Sequence, residues 1–265
     1  MKPYPYYQVN AFSNSVYGGN PAGVCPLTAW LPTDVMQQLA AENNLSETAF
    51  FVPREDGSFD IRWFTPEFEI DLAGHPTLAT AWVIFNYLAF NGIQIVFHSK
   101  SGPLYVTKKQ HLLEMDFPSR MPVDKEVPLA LKEGIVGKTP LAVFKSRDWV
   151  LQFENAADVA NIEVDYTWLN KLEDTVGIIA TAPGNDCDFV SRFFVPNSVI
   201  GEDPVTGSAH ATLVPFWAEK LGKTSLLAKQ ISKRGGVLYC ESKGDRVKIA
   251  GECVLYLKGE YYLYE

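Results

Sequence analysis

The chain has 265 residues, of which 47% are hydrophobic and 20% charged, and a formal net charge of −8 at pH 7. That length holds one large domain or two medium ones, with ample apolar material for a core. The acidic balance argues against nucleic acid or an anionic membrane as partner, while leaving room for a local positive site that takes a small acid.

The first residues, Met1 to Asn10, show neither an apolar signal core nor a small-residue cleavage site. The most apolar stretch, Ala79 to Phe90, is interrupted by Thr80 and Asn86 and is too short to cross a bilayer. A cytoplasmic location is the expectation. Alternating apolar positions and β-branched or aromatic residues predict strands over Pro5–Phe12, Thr48–Val52, Phe59–Phe64, Ile93–His98, Leu104–Thr107 and Leu112–Phe117. The same signals recur over Leu141–Phe144, Trp149–Phe153, Val176–Thr181, Asp188–Val195, Gly236–Cys240, Arg246–Ala250 and Cys253–Leu257. Gly251-Glu252 and Lys258-Gly259-Glu260 read as hairpin connections.

Helices are fewer. Thr33 or Asp34 caps one that runs to about Asn43. A second spans His75 to Tyr87 or Phe90. A third spans Ser208 to Leu221 and stops at Gly222. Short helices are expected near Pro128–Lys132 and Tyr166–Leu172. Leu78, Ala79, Ala81, Trp82, Val83, Ile84, Phe85 and Leu88 cover nearly the whole circumference of the second helix, and Ala209, Ala211, Leu213, Val214, Phe216, Trp217 and Leu221 cover most of the third. A helix apolar all round is a buried helix. The prediction is an α+β fold of two similar lobes, each a curved, mostly antiparallel sheet wrapped around a central apolar helix. The first lobe is expected over residues 1–117 and the second over 118–265, with the last strand free to cross back, and Pro118–Pro122 reads as the linker.

Both central helices open on the same kind of segment. One is Asp71-Leu72-Ala73-Gly74-His75-Pro76-Thr77, the other Glu202-Asp203-Pro204-Val205-Thr206-Gly207-Ser208. Each passes from acidic residues through a glycine into small polar residues and then into the helix. Bare backbone N–H groups at such a start attract anions. Proline suits a first helical position, which puts His75 at the cap and leaves the N–H groups of Thr77 and Leu78 for a ligand. Ser208 has the chemistry of an N-cap, and Gly207 allows close approach to the backbone. Asp203 sits in a proline-containing turn, where its carboxylate either caps the turn or faces a ligand.

Glu47 lies between the first helix and an apolar strand. Partial desolvation there raises a carboxyl pKa and suits proton transfer. The four cysteines, Cys25, Cys187, Cys240 and Cys253, form no Cys-x-x-Cys pair and read as buried reduced thiols, with no metal site. Gly134–Thr139 and Gly222-Lys223-Thr224 fail the phosphate-loop spacing, and neither a Gly-x-Ser-x-Gly elbow nor a His-Glu-x-x-His motif occurs.

In this order, Glu47 and the two helix-opening segments resemble the PhzF-like phenazine-biosynthesis family, within the diaminopimelate epimerase superfamily. Asn10-Ala11-Phe12 followed by Gly19-Asn20-Pro21-Ala22-Gly23-Val24 resembles the family's opening. Arg62-Trp63-Phe64-Thr65-Pro66 before Asp71–Leu78, and Asp188–Pro196 before Gly201–His210, extend the resemblance over nearly the whole chain. It implies a two-lobed fold with an active site between the lobes, usually within a homodimer, and no metal or organic cofactor. Glu47 matches the catalytic carboxylate. His75 and Asp203 match residues lining the site. Gly74, Thr206, Gly207 and Ser208 match the helix mouths that hold a substrate carboxylate.

The function implied is a cofactor-independent isomerase that moves a proton within a small carboxylic acid, cyclic or conjugated and bearing an amino or hydroxyl group. Two alternatives stand beside it. A two-thiol amino-acid racemase or epimerase needs cysteines at the helix mouths, and neither mouth has one. A binding protein that keeps the fold without turnover would not need Glu47, His75 and Asp203 together.

Overall fold

The computed structural model describes residues 2–263. The chain divides into two compact units. The first comprises the residues up to Asp116 together with those from Ala250 onward, and the second is Phe117–Ile249.

In the first unit the central helix α2, Gly74–Tyr87, follows the peripheral helix α1, Thr33–Asn43. Residues Gly74 to Ala81, with Val83 and Ile84, are buried, so nearly the whole circumference of α2 is enclosed. The strands Lys2–Ala11, Asn20–Pro26, Glu47–Pro53 and Cys253–Leu263 pack against it. A buried Leu or Ile of this kind stabilises the fold by about 1.5–3 kcal/mol. In the second unit three short helices, α3 (Leu129–Gly134), α4 (Ala156–Ala160) and α5 (Tyr166–Leu169), precede the enclosed α6, Gly207–Leu221. α6 packs against Ser225–Gln230 and Gly236–Lys243 and stops at Gly222, which takes the left-handed conformation at φ 62°.

The two units repeat one plan. In the first, Glu47–Pro53 pairs antiparallel with Phe59–Phe64, which pairs with the two-residue strand Glu69–Ile70 just before α2. After α2, Gln94–Ser99 joins Phe59–Phe64 in parallel and turns back in a hairpin with Gly102–Lys109. In the second, Ile178–Pro183, Phe189–Phe194 and Glu202–Asp203 lead into α6 in the same way. Ser225–Gln230 then joins Phe189–Phe194 in parallel and turns back with Gly236–Lys243. Strand pairing within each unit is mostly antiparallel, with parallel pairs across α1 and α2 in the first unit and across α4–α5 and α6 in the second.

Each copy carries the same clamp. Arg62 grips Glu69 through Nε and Nη2 at 2.7 and 2.8 Å, with its guanidinium over the Phe64 ring. Arg192 grips Glu202 at 2.7 and 2.8 Å, over the Phe194 ring. A bidentate arginine fixes a carboxylate in both position and orientation. Here each clamp ties the two-residue strand down five residues before its helix begins.

Several local expectations need correction. α1 is preceded by Pro32 as N-cap, with no side-chain cap bond. The Thr33 hydroxyl, expected as a cap, instead accepts from Arg62 Nη2 at 3.1 Å. Strands Asn20–Pro26 and Ser225–Gln230 were not expected. Proline and glycine in the first and poor strand formers in the second hide them, and pairing on both sides stabilises them nonetheless. Lys258-Gly259-Glu260 is no hairpin: it lies inside the strand Cys253–Leu263, opposite Tyr7, Tyr6 and Pro5. α4, capped by the Asn155 side chain on Asp158 N–H, was also unread, and α5 ends at Leu169.

The Arg62 clamp has a pH signature. Hydrogen bonding from Arg62 comes first among the causes that hold Glu69 down at about 2, from an ordinary 4.5. A depressed carboxyl pKa stabilises the native state above the unfolded value, and that contribution is lost as pH falls through the folded value. Glu69→Gln should therefore cost about 2–3 kcal/mol in urea unfolding at pH 7. The gap between variant and wild type should close as pH falls from 4.5 toward 2.

Candidate active site

Three element starts meet in the first unit. Asn20 begins the strand Asn20–Pro26 and Glu47 begins the strand parallel to it, with Ala22 opposite Glu47 in register. His75 is the second residue of α2. Gly19 delivers the chain to Asn20 at φ 69°, where a Cβ would lie 2.3 Å from the Ala11 carbonyl oxygen. Only glycine fits there.

The side chains converge. His75 Nε2 lies 3.2 Å from Glu47 Oε2. On the other ring nitrogen, Nδ1 lies 3.1 Å from the Asn20 amide. The His75 side chain is 6% exposed, that of Glu47 18%, and Asn20 is fully buried. Burial pushes the imidazole down to about 3, against the opposing pull of the Pro21 carbonyl as acceptor. At neutral pH the ring is uncharged, one nitrogen donating and the other accepting.

With its proton on Nε2, the neutral ring turns that N–H toward Glu47 Oε2 while Nδ1 accepts from the Asn20 amide.

The helix cap lies two residues before the expected one. α2 begins at Gly74, so Ala73 is the cap, His75 the second position and Pro76 the third. The backbone N–H groups left at the mouth are those of Gly74 and His75, which make no hydrogen bond to a described residue. The Thr77 hydroxyl turns inward to the Ala73 carbonyl at 2.5 Å.

The second unit holds its own set. Asp203 is buried on the two-residue strand, and the Thr206 hydroxyl donates to its Oδ2 in a short hydrogen bond. Gln230, also buried, donates to the Asp203 carbonyl at 2.8 Å and to Thr206 Oγ1 at 3.2 Å, and accepts from Thr206 N–H at 2.8 Å. The Thr206 carbonyl accepts from His210 Nδ1 at 2.9 Å. Every polar group of Thr206 is therefore engaged within the protein. Thr206, expected to bind substrate, holds Asp203.

Thr206, not Ser208, is the cap of α6, and Ser208 is its second residue. The N–H groups of Gly207 and Ser208 make no hydrogen bond to a described residue. Ser208 Oγ accepts from Arg147 Nη2 at 3.2 Å. Asn20, Gln230 and Arg147 were not singled out in the sequence. Asn20 stood inside a quoted segment, whereas the other two are isolated polar residues beside or within strands, and only folding shows their purpose.

Residues 9–259 match the family described as phenazine biosynthesis-like protein, PhzC-PhzF. The chain belongs to this family. An uncharacterized isomerase of Pseudomonas aeruginosa is 45% identical, covering 97% of this chain and 98% of its own length. A PhzF-family crystal structure from Enterococcus faecalis is 48% identical at a TM-score of 0.95, covering 99% of this chain and 100% of that one. The chain is thus an isomerase of the PhzF family. Its fold is also that of a hydroxyproline epimerase from Agrobacterium vitis, at 8% identity and a TM-score of 0.59 over 98% of this chain and 92% of that one. No helix among the described residues is long and apolar enough to cross a membrane.

Within this PhzF fold the buried imidazoles impose a pH cost. His75 is pushed down to about 3 and His210 to about 4, in both cases by burial, from 6.5. Below pH 6.5 the unfolded chain takes up a proton at each position while the native state does not, so stability falls as pH falls. The expected loss is about 1.4 kcal/mol per pH unit for each histidine between pH 6.5 and 5. Urea unfolding across that range checks it, and His75→Gln should make the decline shallower by one histidine's share.

Proposed function

We propose that this PhzF-family isomerase moves a proton within a small carboxylic acid, cyclic or conjugated and bearing an amino or hydroxyl group. Glu47 is the group that gives the proton to one carbon and takes it from another. The observation that carries this reading is the 3.2 Å approach of Glu47 to a buried, uncharged His75. A carboxyl group backed by a neutral imidazole can be loaded and unloaded without separating charge in a desolvated place. General acid–base action of this kind supplies about 10²–10⁴-fold in rate. It needs neither a metal nor an organic cofactor.

The other roles follow from residue chemistry. His75 steadies the Glu47 carboxyl in each protonation state, and Asn20 orients the ring. The N–H of Gly74 at the start of α2 is suited to a carboxylate, as are those of Gly207 and Ser208 at the start of α6, and at such starts the dipole adds about 0.3–2 kcal/mol. Asp203, its orientation set by Thr206 and Gln230, accepts from the substrate's amino or hydroxyl group. The two-thiol racemase alternative finds no support: Ala73-Gly74-His75 and Thr206-Gly207-Ser208 carry no thiol, and Cys25 and Cys240, both buried, are pushed far up by that burial.

The test is deuterium wash-in. A panel of cyclic unsaturated amino and hydroxy acids is incubated in D₂O with the enzyme and the exchange followed by NMR. For any acid the wild type exchanges, Glu47→Gln should lower the rate about 10²–10⁴-fold, with the variant folded by circular dichroism. Exchange at the wild-type rate in Glu47→Gln would remove Glu47 from the proton transfer.

A further inference from the structure

The second unit gathers positive charge at the first turn of α6, in a chain whose net charge is −8. Three observations build it. Asp148 is 1% exposed and holds Arg147 through Nε and Nη2 at 2.6–3.1 Å. The guanidinium so held reaches Ser208 Oγ with Nη2, at 3.2 Å. A buried carboxylate that serves one arginine spends its charge on fixing that fork in place.

A proline draws Arg120 to the next turn of α6. Pro215 lies inside α6 and has no N–H, so the Ala211 carbonyl four residues earlier loses its helical partner. The Arg120 backbone N–H takes that place at 2.9 Å. Ala211 stands three residues after Ser208, on the same face of the helix one turn on. The Arg120 guanidinium makes no hydrogen bond to a described residue, and it lies within the field of both Arg147 and Asp148, beside partly desolvating surroundings. Lys145, anchored on the Arg147 carbonyl at 3.1 Å and the Asp174 carbonyl at 2.8 Å, stands behind them.

The charges do not balance. Two guanidinium groups and an ammonium are set against the buried carboxylate of Asp148 and the exposed one of Asp174 beside Lys145, and the positive end of α6 adds to them. Two arginines held together with one neutralising group between them leave a site that attracts an anion.

We infer that Arg120 and Arg147, with Ser208, form an oxyanion-binding site in the second unit. The ligand chemistry is a carboxylate or phosphoryl group that takes hydrogen bonds from Arg147 Nη1, the nitrogen that Asp148 and Ser208 do not use, and a charge contact from Arg120. The inference rests on the reading that the start of α6 meets the substrate. It deepens that reading by requiring the substrate to carry an oxyanion held by arginine as well as by backbone N–H groups.

Isothermal titration of the full chain with inorganic phosphate and, separately, succinate tests this, at low salt and again at high salt. One of the two should bind, more weakly at high salt. Arg120→Gln, which removes no internal side-chain hydrogen bond, should weaken that binding about tenfold or more. Arg147→Lys keeps a cation on Asp148 but loses the fork, and should weaken it likewise. If Arg147→Lys does not fold, Arg120→Gln decides alone. Preference for phosphate assigns a phosphoryl group, and preference for succinate a carboxylate. The inference is overturned if neither anion binds the wild type, or if Arg120→Gln binds as tightly as wild type. The titrations read anion binding with no proton transfer, so loss of the anion site and loss of the proton-transfer reading are told apart.

Discussion

An uncharged imidazole pressed against a carboxyl group, with little access to water, is the constraint around which the first unit is organised. His75 stays neutral because burial outweighs the pull of the Pro21 carbonyl. That burial in turn needs α2 enclosed on nearly all sides, and an enclosed helix needs strands on every face. The strand starts at Asn20 and Glu47 come adjacent because their strands run parallel and in register. The sheet order thus serves the chemistry: a parallel pair puts two amino ends side by side, where an antiparallel pair would separate them.

The second unit solves a similar problem with different atoms. Its enclosed helix also follows a two-residue strand clamped by an arginine over an aromatic ring. Where the first unit sets a histidine against a glutamate, the second sets Thr206 and Gln230 around Asp203. The shared clamp and strand order are consistent with two copies of one plan, and the divergent residues at the helix starts with a division of labour between them.

Much of this was legible before folding. The apolar circumference of α2 and α6 announced enclosed helices, and a glycine opens each of them. Glu47, His75 and Asp203 were visible through the resemblance. What stayed hidden depends on partners remote in sequence. Asn20 lies in a proline- and glycine-containing segment that local preference reads as a turn, yet pairing on both sides makes it a strand. Gln230 and Arg147 have no local signature, because their roles are to satisfy Thr206 and Ser208 across loops. Pro215 was visible in the sequence, but its consequence, a freed Ala211 carbonyl taken by Arg120, needs coordinates. Cap positions slipped by one or two residues for the same reason: Thr33 gave its hydroxyl to Arg62, and Ser208 gave its own to Arg147.

The protonation state of one imidazole tests the whole account most directly. The side-chain ¹⁵N resonances of His75, assigned by comparison with a His75 variant, report both charge and tautomer across a titration from neutral pH downward. The account requires a neutral ring with no titration near 6.5, and protonation only as pH approaches about 3 or the fold is lost. A ring that becomes imidazolium with an ordinary midpoint near 6.5, in the folded protein, would contradict it.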